Sequence, residues 1–292
     1  MEPVLETGIL SAKRSDGGST TQQYSIMALD QSDLPRILEL QDLIVRHLHR
    51  KDILEPFPPE FMKAHLGRKG FILGLFSQGR LWAFRNVFFP DVGDKVWNLG
   101  LDIGLPRPEL KRVANLQMVC VHPDYRGNGV ALKLNRLALK LLRERGHFEH
   151  ICATVSPYNI WNLRILLSSG FHVRELKSKY GGKLRYVVYQ RLVHPVTFET
   201  DAVAHIAIED FKEQKRMLRT GLCGVAVKEI GDAGGSGHPF WEKPLYLALK
   251  APDQVLRVNV ISSGRCRKAL RWGSIEKCPD TDDSQRANTK NV

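Results

Sequence analysis

Apolar residues recur at helical spacing in two places along this chain. Leu34, Ile37, Leu38, Ile44, Val45 and Leu48 share one face of a helix that Ser32 can cap, with Pro35 in the first turn, where its missing N–H is harmless. The clearer stripe is Val130, Leu134, Leu137, Ala138 and Leu141, with Lys133, Arg136, Lys140 and Arg143 on another face; it predicts a helix from Gly129 to Arg145 that Gly146 stops. Between these lie strand-like runs. A short strand is expected at 24–29, a brief helix at 60–66 after Pro56, Pro58 and Pro59, and a hairpin in which GFILGLF and RLWAFRNVFF flank Gly79. The run NLQMVCV alternates as a strand with Leu116, Met118 and Cys120 facing one way, and it ends at His122-Pro123. A strand at 150–155, a helix at 159–169 closed by Gly170, and strands at 171–177 and 184–192 complete a βαβ unit with additional antiparallel strands.

These elements divide the chain. Residues 1–22 end in SDGGSTTQQ, which has little to bury, and read as a mobile leader. Residues 23–193 form one α/β domain. The break at His194-Pro195 opens an α+β appendage over 194–275, with a helix at 209–219, a strand at 224–230, the loop GDAGGSGHP and a strand at 245–249. Residues 276–292 are polar and read as a disordered tail.

At 292 residues and 43% hydrophobic content the chain can bury a substantial core. No run nears the roughly 20 apolar residues that cross a bilayer, and no basic-then-apolar leader opens the sequence, so neither a membrane partner nor export is expected. Cys120, Cys152, Cys223, Cys266 and Cys278 are scattered and share no metal-ligand spacing with the histidines; reduced thiols, a cytoplasmic location and no metal follow as expectations. Cys120, in an apolar strand, reads as a core residue and not as a nucleophile. A net charge of +12 attracts phosphate, whether on nucleic acid, lipid or a polyanionic cofactor, without choosing among them. The cluster Arg265, Arg267, Lys268, Arg271 with Trp272 suits phosphate and base contacts, but no nucleic-acid motif accompanies it, and nucleic acid is not expected as a partner.

The sharpest chemical signal is the turn Arg126-Gly127-Asn128-Gly129-Val130-Ala131 between strand and helix. Small residues there let backbone N–H groups converge at a helix N-terminus, which carries unpaired donors and the positive end of the dipole. Arg126 adds a full charge. Neither G-x-G-x-x-G with its later acidic residue nor the P-loop Lys-Ser/Thr is present.

NLQMVCVHPDYRGNGVALKLN resembles motif A of the GNAT acetyltransferase superfamily, with its Q/R-x-x-G-x-G/A fingerprint, and SPYNIWNLRILLSSGF resembles motif B, through Asn159, Gly170 and Phe171. The resemblance implies a GNAT-type α/β fold with a mixed, mostly antiparallel sheet flanked by helices, acetyl-CoA as co-substrate, and acyl transfer to a primary amine by direct attack on the thioester. It implies that backbone groups of Val119 and Val121 bond the pantetheine arm, that N–H groups from Arg126, Gly127, Asn128, Gly129, Val130 and Ala131 hold the pyrophosphate, and that Asn159 approaches the cofactor. As residues alone, Val119 and Val121 equally suit a core strand and Asn159 a helix N-cap. Where motif B often carries a Tyr as general acid, this chain has Leu166. Tyr158, Tyr180 and His122 are the remaining candidates for proton transfer, and Asp102 and Glu109 precede the motif strand without an assigned role. The missing Tyr motivates a rival reading, a non-catalytic acyl-CoA sensor. A polyamine, an amino acid, an antibiotic and a protein N-terminus or lysine all remain open as acceptors, and oligomeric state is open too.

Overall fold

The computed structural model describes residues 3–13, 17–229 and 245–252. Its strands are β1 (Val4–Lys13), β2 (Ser19–Ala28), β3 (Gly70–Ser77), β4 (Arg80–Phe88), β5 (Val113–Val121), β6 (His150–Val155), β7 (His172–Lys179), β8 (Lys183–Arg191), β9 (Ala204–Ala207), β10 (Cys223–Glu229) and β11 (Leu245–Lys250). Its helices are α1 (Leu34–Arg46), α2 (Pro59–His65), α3 (Leu99–Asp102), α4 (Val130–Glu144), α5 (Ile160–Ser168) and α6 (Phe211–Arg219). All described strands join one sheet in the order β1-β2-β3-β4-β5-β6-β8-β7-β10-β11-β9, antiparallel throughout except for the β5–β6 pair.

Two apolar layers sandwich the sheet. On one face α1 and α2 set Ile37, Leu40, Ile44 and Met62 against Ile72, Phe84, Met118 and Cys120. On the other, α4 and α5 set Leu134, Ala138, Leu163 and Leu166 against Leu73, Ala114, Leu116 and Ala153. The helix ahead of α1 starts one step earlier than Ser32. Asp30 accepts from the Ser32 N–H, Asp33 reciprocates on the Asp30 N–H, and Ser32 only adds its hydroxyl to the Asp30 carboxylate.

Within β5 the expected alternation fails, with consequences for the site. Opposite the single step Asn86–Val87 of β4, β5 advances from Leu116 to Met118, so Gln117 is an extra residue, a β-bulge. The bulge reverses the phase of the strand. Leu116 therefore faces the α4 layer, while Met118 and Cys120 face α1, and the three do not share a side.

The two ends of the chain differ from the expected leader and appendage. Val4–Lys13 is not a mobile segment but a strand paired with β2, and it buries Leu10 and Ala12 in the main core. The STTQQ part of SDGGSTTQQ opens the partner strand β2, which is why its polar composition misleads. Past His194-Pro195, the strands at 204–250 prolong the same sheet through the Gly224–Val173 pair, and Ile208, Leu218, Leu247 and Leu249 enter the main core. Tyr186 of β8 donates its hydroxyl to Gln214 of α6 and Arg164 of α5 pairs with Glu229 of β10 at 3.0 Å, so this stretch is welded to the sheet. The GDAGGSGHP loop, the Arg265–Trp272 cluster and the 276–292 tail lie outside the described residues.

Two buried histidines make the fold acid-sensitive. His65 holds Asn86 at 2.8 Å through Nδ1 and packs against Phe88, and His172 lies edge-on to Tyr189 and Phe198. Desolvation lowers their pKa values to about 4 and about 3. Because each is neutral when folded and binds a proton near pH 6.5 when unfolded, each contributes stability above pH 6.5 that is lost as pH falls towards the folded value. Urea unfolding between pH 7 and pH 4 should show this loss, and a His65→Gln/His172→Gln variant, though less stable at pH 7, should show a shallower one. An equal slope would contradict the assignment.

Candidate functional site

The turn before α4 is built by local chemistry. His122 accepts the Asp124 N–H on Nδ1 at 3.3 Å and starts a 3₁₀ turn at Pro123–Tyr125; the buried Tyr125 donates its hydroxyl to Gln22 at 2.7 Å. Gly127 and Gly129 follow at φ 89° and 68°, left-handed values that suit glycine, and a Cβ on either would meet no protein atom within 4 Å. Space therefore opens in front of both. Gly129 is also the N-cap residue of α4 and supplies no side-chain cap, so the first-turn N–H donors of that helix face this space without an intramolecular acceptor from a capping group.

The individual residues of the turn divide in role. Arg126 spends its N–H on the Pro123 carbonyl at 3.2 Å and its Nε on the Val121 carbonyl at 3.3 Å, which removes its own amide from the expected anion cradle. Val130 is buried in the core and Ala131 is half-buried at the helix start. Asn128 turns its side chain away to β1: Oδ1 accepts the Ser11 N–H at 2.8 Å, while Nδ2 donates to the Ser11 carbonyl at 2.6 Å and the Tyr125 carbonyl at 3.1 Å. One side-chain amide thus mimics a strand edge and ties the turn to β1. Lys133 of α4 adds an ion pair to Glu6 at 2.9 Å, which also accepts from Tyr24. Reading β1 as a leader hid this tie.

Beside the turn, β5 and β6 part. Their parallel ladder runs from Val113–His150 to Leu116–Ala153 and stops at the bulge, although β5 continues to Val121 and β6 to Val155. Val119 and Val121 keep their pairing with Arg85 and Ala83 of β4 on one side. On the other, among the described residues, the backbone of 117–121 has no sheet partner. Buried polar atoms without a hydrogen bond gather on these elements: Gln117 Nε2 at the bulge, Ser156 Oγ just past β6 and Asn162 Oδ1 in α5. None of the three was singled out from sequence; Ser156 and Asn162 flank Asn159 within motif B, which was the available signal. Asn159 itself caps α5, its side chain accepting the Asn162 N–H at 3.2 Å.

Of the candidate proton-transfer groups, one reaches this fork. Tyr180, at φ 50° in the β7–β8 turn, stacks on Trp97 at 5.1 Å and places its hydroxyl 3.2 Å from Oγ1 of Thr154, the first β6 residue past the ladder. Desolvation raises its pKa to about 12. Tyr158 is 41% exposed, with the Arg50 guanidinium 3.6 Å above its ring and Phe211 edge-on. His122 caps its turn, lies edge-on to Trp82 and lines a cleft of about 270 Å³ with Arg36, Glu39 and Arg80; burial lowers its pKa. Leu166 is 1% exposed in the core. Asp102 is held by Lys177 at 2.9 Å and Lys179 at 2.5 Å. Glu109 meets His150 at 3.0 Å, and with Glu149 they bring three ligand atoms within 4.8 Å, but Arg112 and Arg191 already neutralise Glu149. Cys120, Cys152 and Cys223 are free and buried, and desolvation lifts the Cys120 thiol to about 12.

Residues 43–171 match the family model described as the acetyltransferase (GNAT) family. No curated protein matches the chain. Among solved structures, the ribosomal-protein-S18-alanine N-acetyltransferase of Escherichia coli is 17% identical, covering 59% of this chain and 95% of its own at a TM-score of 0.42. A GNAT-family acetyltransferase of Streptococcus pneumoniae is 15% identical over 58% of this chain and 99% of its own, TM-score 0.45. The yncA protein of Salmonella typhimurium, solved with its cofactor acetyl-CoA, is 17% identical over 61% and 98%, TM-score 0.44.

If Asn128 fastens the turn to β1, an Asn128→Ala variant should lose about 0.5–1.5 kcal/mol of stability, since it removes two exposed hydrogen bonds to the Ser11 backbone that water partly replaces. Hydrogen exchange at the Ser11 amide should quicken more than at amides of β3. Unchanged protection at Ser11 would show that β1 holds itself.

Proposed function

We propose, from the premise that this chain carries a domain of the acetyltransferase (GNAT) family, that it transfers an acyl group, most simply acetyl, from coenzyme A to a primary amine. The carrying observation is the uncapped N-terminus of α4, whose glycines front open space beside the fork where β5 leaves β6. The residues present fit acetyl-CoA: the N–H groups of 127–131 suit the diphosphate, and the backbone of 117–121 without a sheet partner on the β6 side, with Gln117 and Ser156, suits the pantetheine arm. Bound there, acetyl-CoA supplies a thioester activated towards amines.

The chain's part is to orient, to exclude water and to hold a proton. Thr154 and Trp97 fix the Tyr180 hydroxyl at the fork, and its raised pKa keeps the O–H protonated at neutral pH. Because a phenol near 12 is a weaker acid than an ordinary thiol, it acts chiefly as a hydrogen-bond donor to developing negative charge. Asp102 is already held by two lysines, so a water is the simplest acceptor of the ammonium proton. The buried free thiols are consistent with a cytoplasmic setting, and no helix among the described residues is long and apolar enough to cross a membrane.

A second reading, an acyl-CoA sensor without turnover, draws on Leu166 standing in the core where motif B often has its acid. Free-thiol release measured over a broad amine panel separates the two, and tight binding with no release favours the sensor. Two variants test the enzyme reading. Gly129→Leu should weaken coenzyme A binding in calorimetry by more than 10-fold, whereas Gly146→Leu, equally left-handed and open at the far end of α4, should not; equal effects would reduce both to backbone strain. Tyr180→Phe should lower kcat on the order of 10²-fold with little change in KM for acetyl-CoA, and an unchanged kcat removes Tyr180 from the chemistry.

A further inference from the structure

Arg185 on β8 is a buried cation without a counter-ion. The residue is 3% exposed; Nη1 donates to the neighbouring Leu184 carbonyl at 2.9 Å, and Nη2 has no hydrogen-bond partner. The nearby acids are engaged elsewhere, Glu55 with Lys183 at 2.5 Å and Asp52 with Arg50 at 3.0 Å. Among the described residues none pairs with Arg185. A guanidinium stays charged inside a protein, so a buried one without a counter-ion is costly, and a donor nitrogen left dry adds to that cost. An anion that reached Nη2 would remove both penalties.

Register places this cation at the fork. The β6–β8 ladder ends at Val155–Tyr186, preceded by Thr154–Val187. Strand alternation then puts Arg185 on the same face as Val187 and Thr154, one residue past the last pair. Tyr180 lies between the two flanks: its hydroxyl is 3.2 Å from Thr154 Oγ1, and the Arg185 guanidinium carbon is 6.0 Å from its ring centre. This is the face of α1 and α2, opposite the one on which α4 packs. A molecule held by Arg185 would therefore approach the fork from the side away from α4.

We infer that the acceptor is an amine bearing a carboxylate, seated with the carboxylate on Arg185 and the amine towards the fork. The inference rests on the acyl-transfer reading above. Arg185 is the cation of this group that meets no carboxylate and calls for one negative charge, and three acids around Tyr180 and Arg185, Asp102, Glu55 and Asp52, disfavour a dianion, so a carboxylate suits the position better than a phosphate ester. Of the other cations here, Arg50 and Lys183 each have their own carboxylate, and Lys177 and Lys179 share that of Asp102.

Calorimetric titration, with and without saturating coenzyme A, reads acceptor binding apart from turnover. The ligands are glycine, β-alanine and glutamate, their amides, aminoethylphosphonate and a polyamine. Wild-type protein should bind at least one carboxylate about 10-fold more tightly than its amide, the scale expected for a charge-assisted bond. Arg185→Gln should erase that preference and Arg185→Lys should restore part of it. Equal affinity for carboxylate and amide, no binding of either, tighter binding of the phosphonate or the polyamine, or a preference that survives Arg185→Gln would each overturn the inference. The wild-type comparison stands even where a variant fails to fold. Failure of coenzyme A itself to bind would count instead against the acyl-transfer reading, and the two failures are thereby distinguished.

Discussion

One extra residue shapes the centre of this molecule. Gln117, inserted in β5 against the Asn86–Val87 step of β4, reverses the facing of the strand and coincides with the end of its parallel ladder with β6. A sheet that breaks mid-ladder leaves donors and acceptors unmatched, and an unmatched buried group costs about 1–3 kcal/mol. The fold accepts this because β5 keeps its partner on the other side and because two core layers clamp the sheet from both faces. The outcome is a slot with free backbone edges inside a rigid scaffold, which is where a ligand with its own polar chain can replace the missing ladder.

The surroundings of the slot follow from which groups are already occupied. Asn128 is committed to β1, the Arg126 amide to its own turn and Asn159 to capping α5, so the unspent donors are the first-turn amides of α4. On the α1 face, Asp102, Glu55, Asp52 and Glu109 are all engaged, which leaves Arg185 without a carboxylate beside Tyr180. The flanks of the sheet, β1 at one edge and β10, β11 and β9 at the other, lengthen the scaffold without entering the fork; β1 nevertheless braces the glycine turn before α4 through a single side-chain amide.

Much of this was legible from residue order. The periodicities of α1 and α4, the β3–β4 and β7–β8 hairpins and the glycine turn at 126–131 all sit where local pattern places them, because each depends on neighbours close in sequence. The rest depends on partners far away. A bulge at Gln117 has no glycine to announce it, so Leu116, Met118 and Cys120 looked like one face. Val4–Lys13 counts as a strand only because β2 and the α4 turn receive it, Ser11 meeting Asn128 across 117 positions. Nothing in residue order sets Arg185 apart from the other cations, because its burial and missing partner arise only in the fold, and the same holds for the orphaned Ser156 and Asn162.

The central claim is that the α4 amides and the free edge of β5 form one binding slot. Its most direct test is to titrate coenzyme A into ¹⁵N-labelled protein and follow backbone amide resonances. Saturable shifts are expected at the first-turn amides 127–131 and along 117–121, with the Arg126 amide, already bonded to Pro123, responding least. Saturable binding that leaves both segments still while moving amides elsewhere would contradict the account.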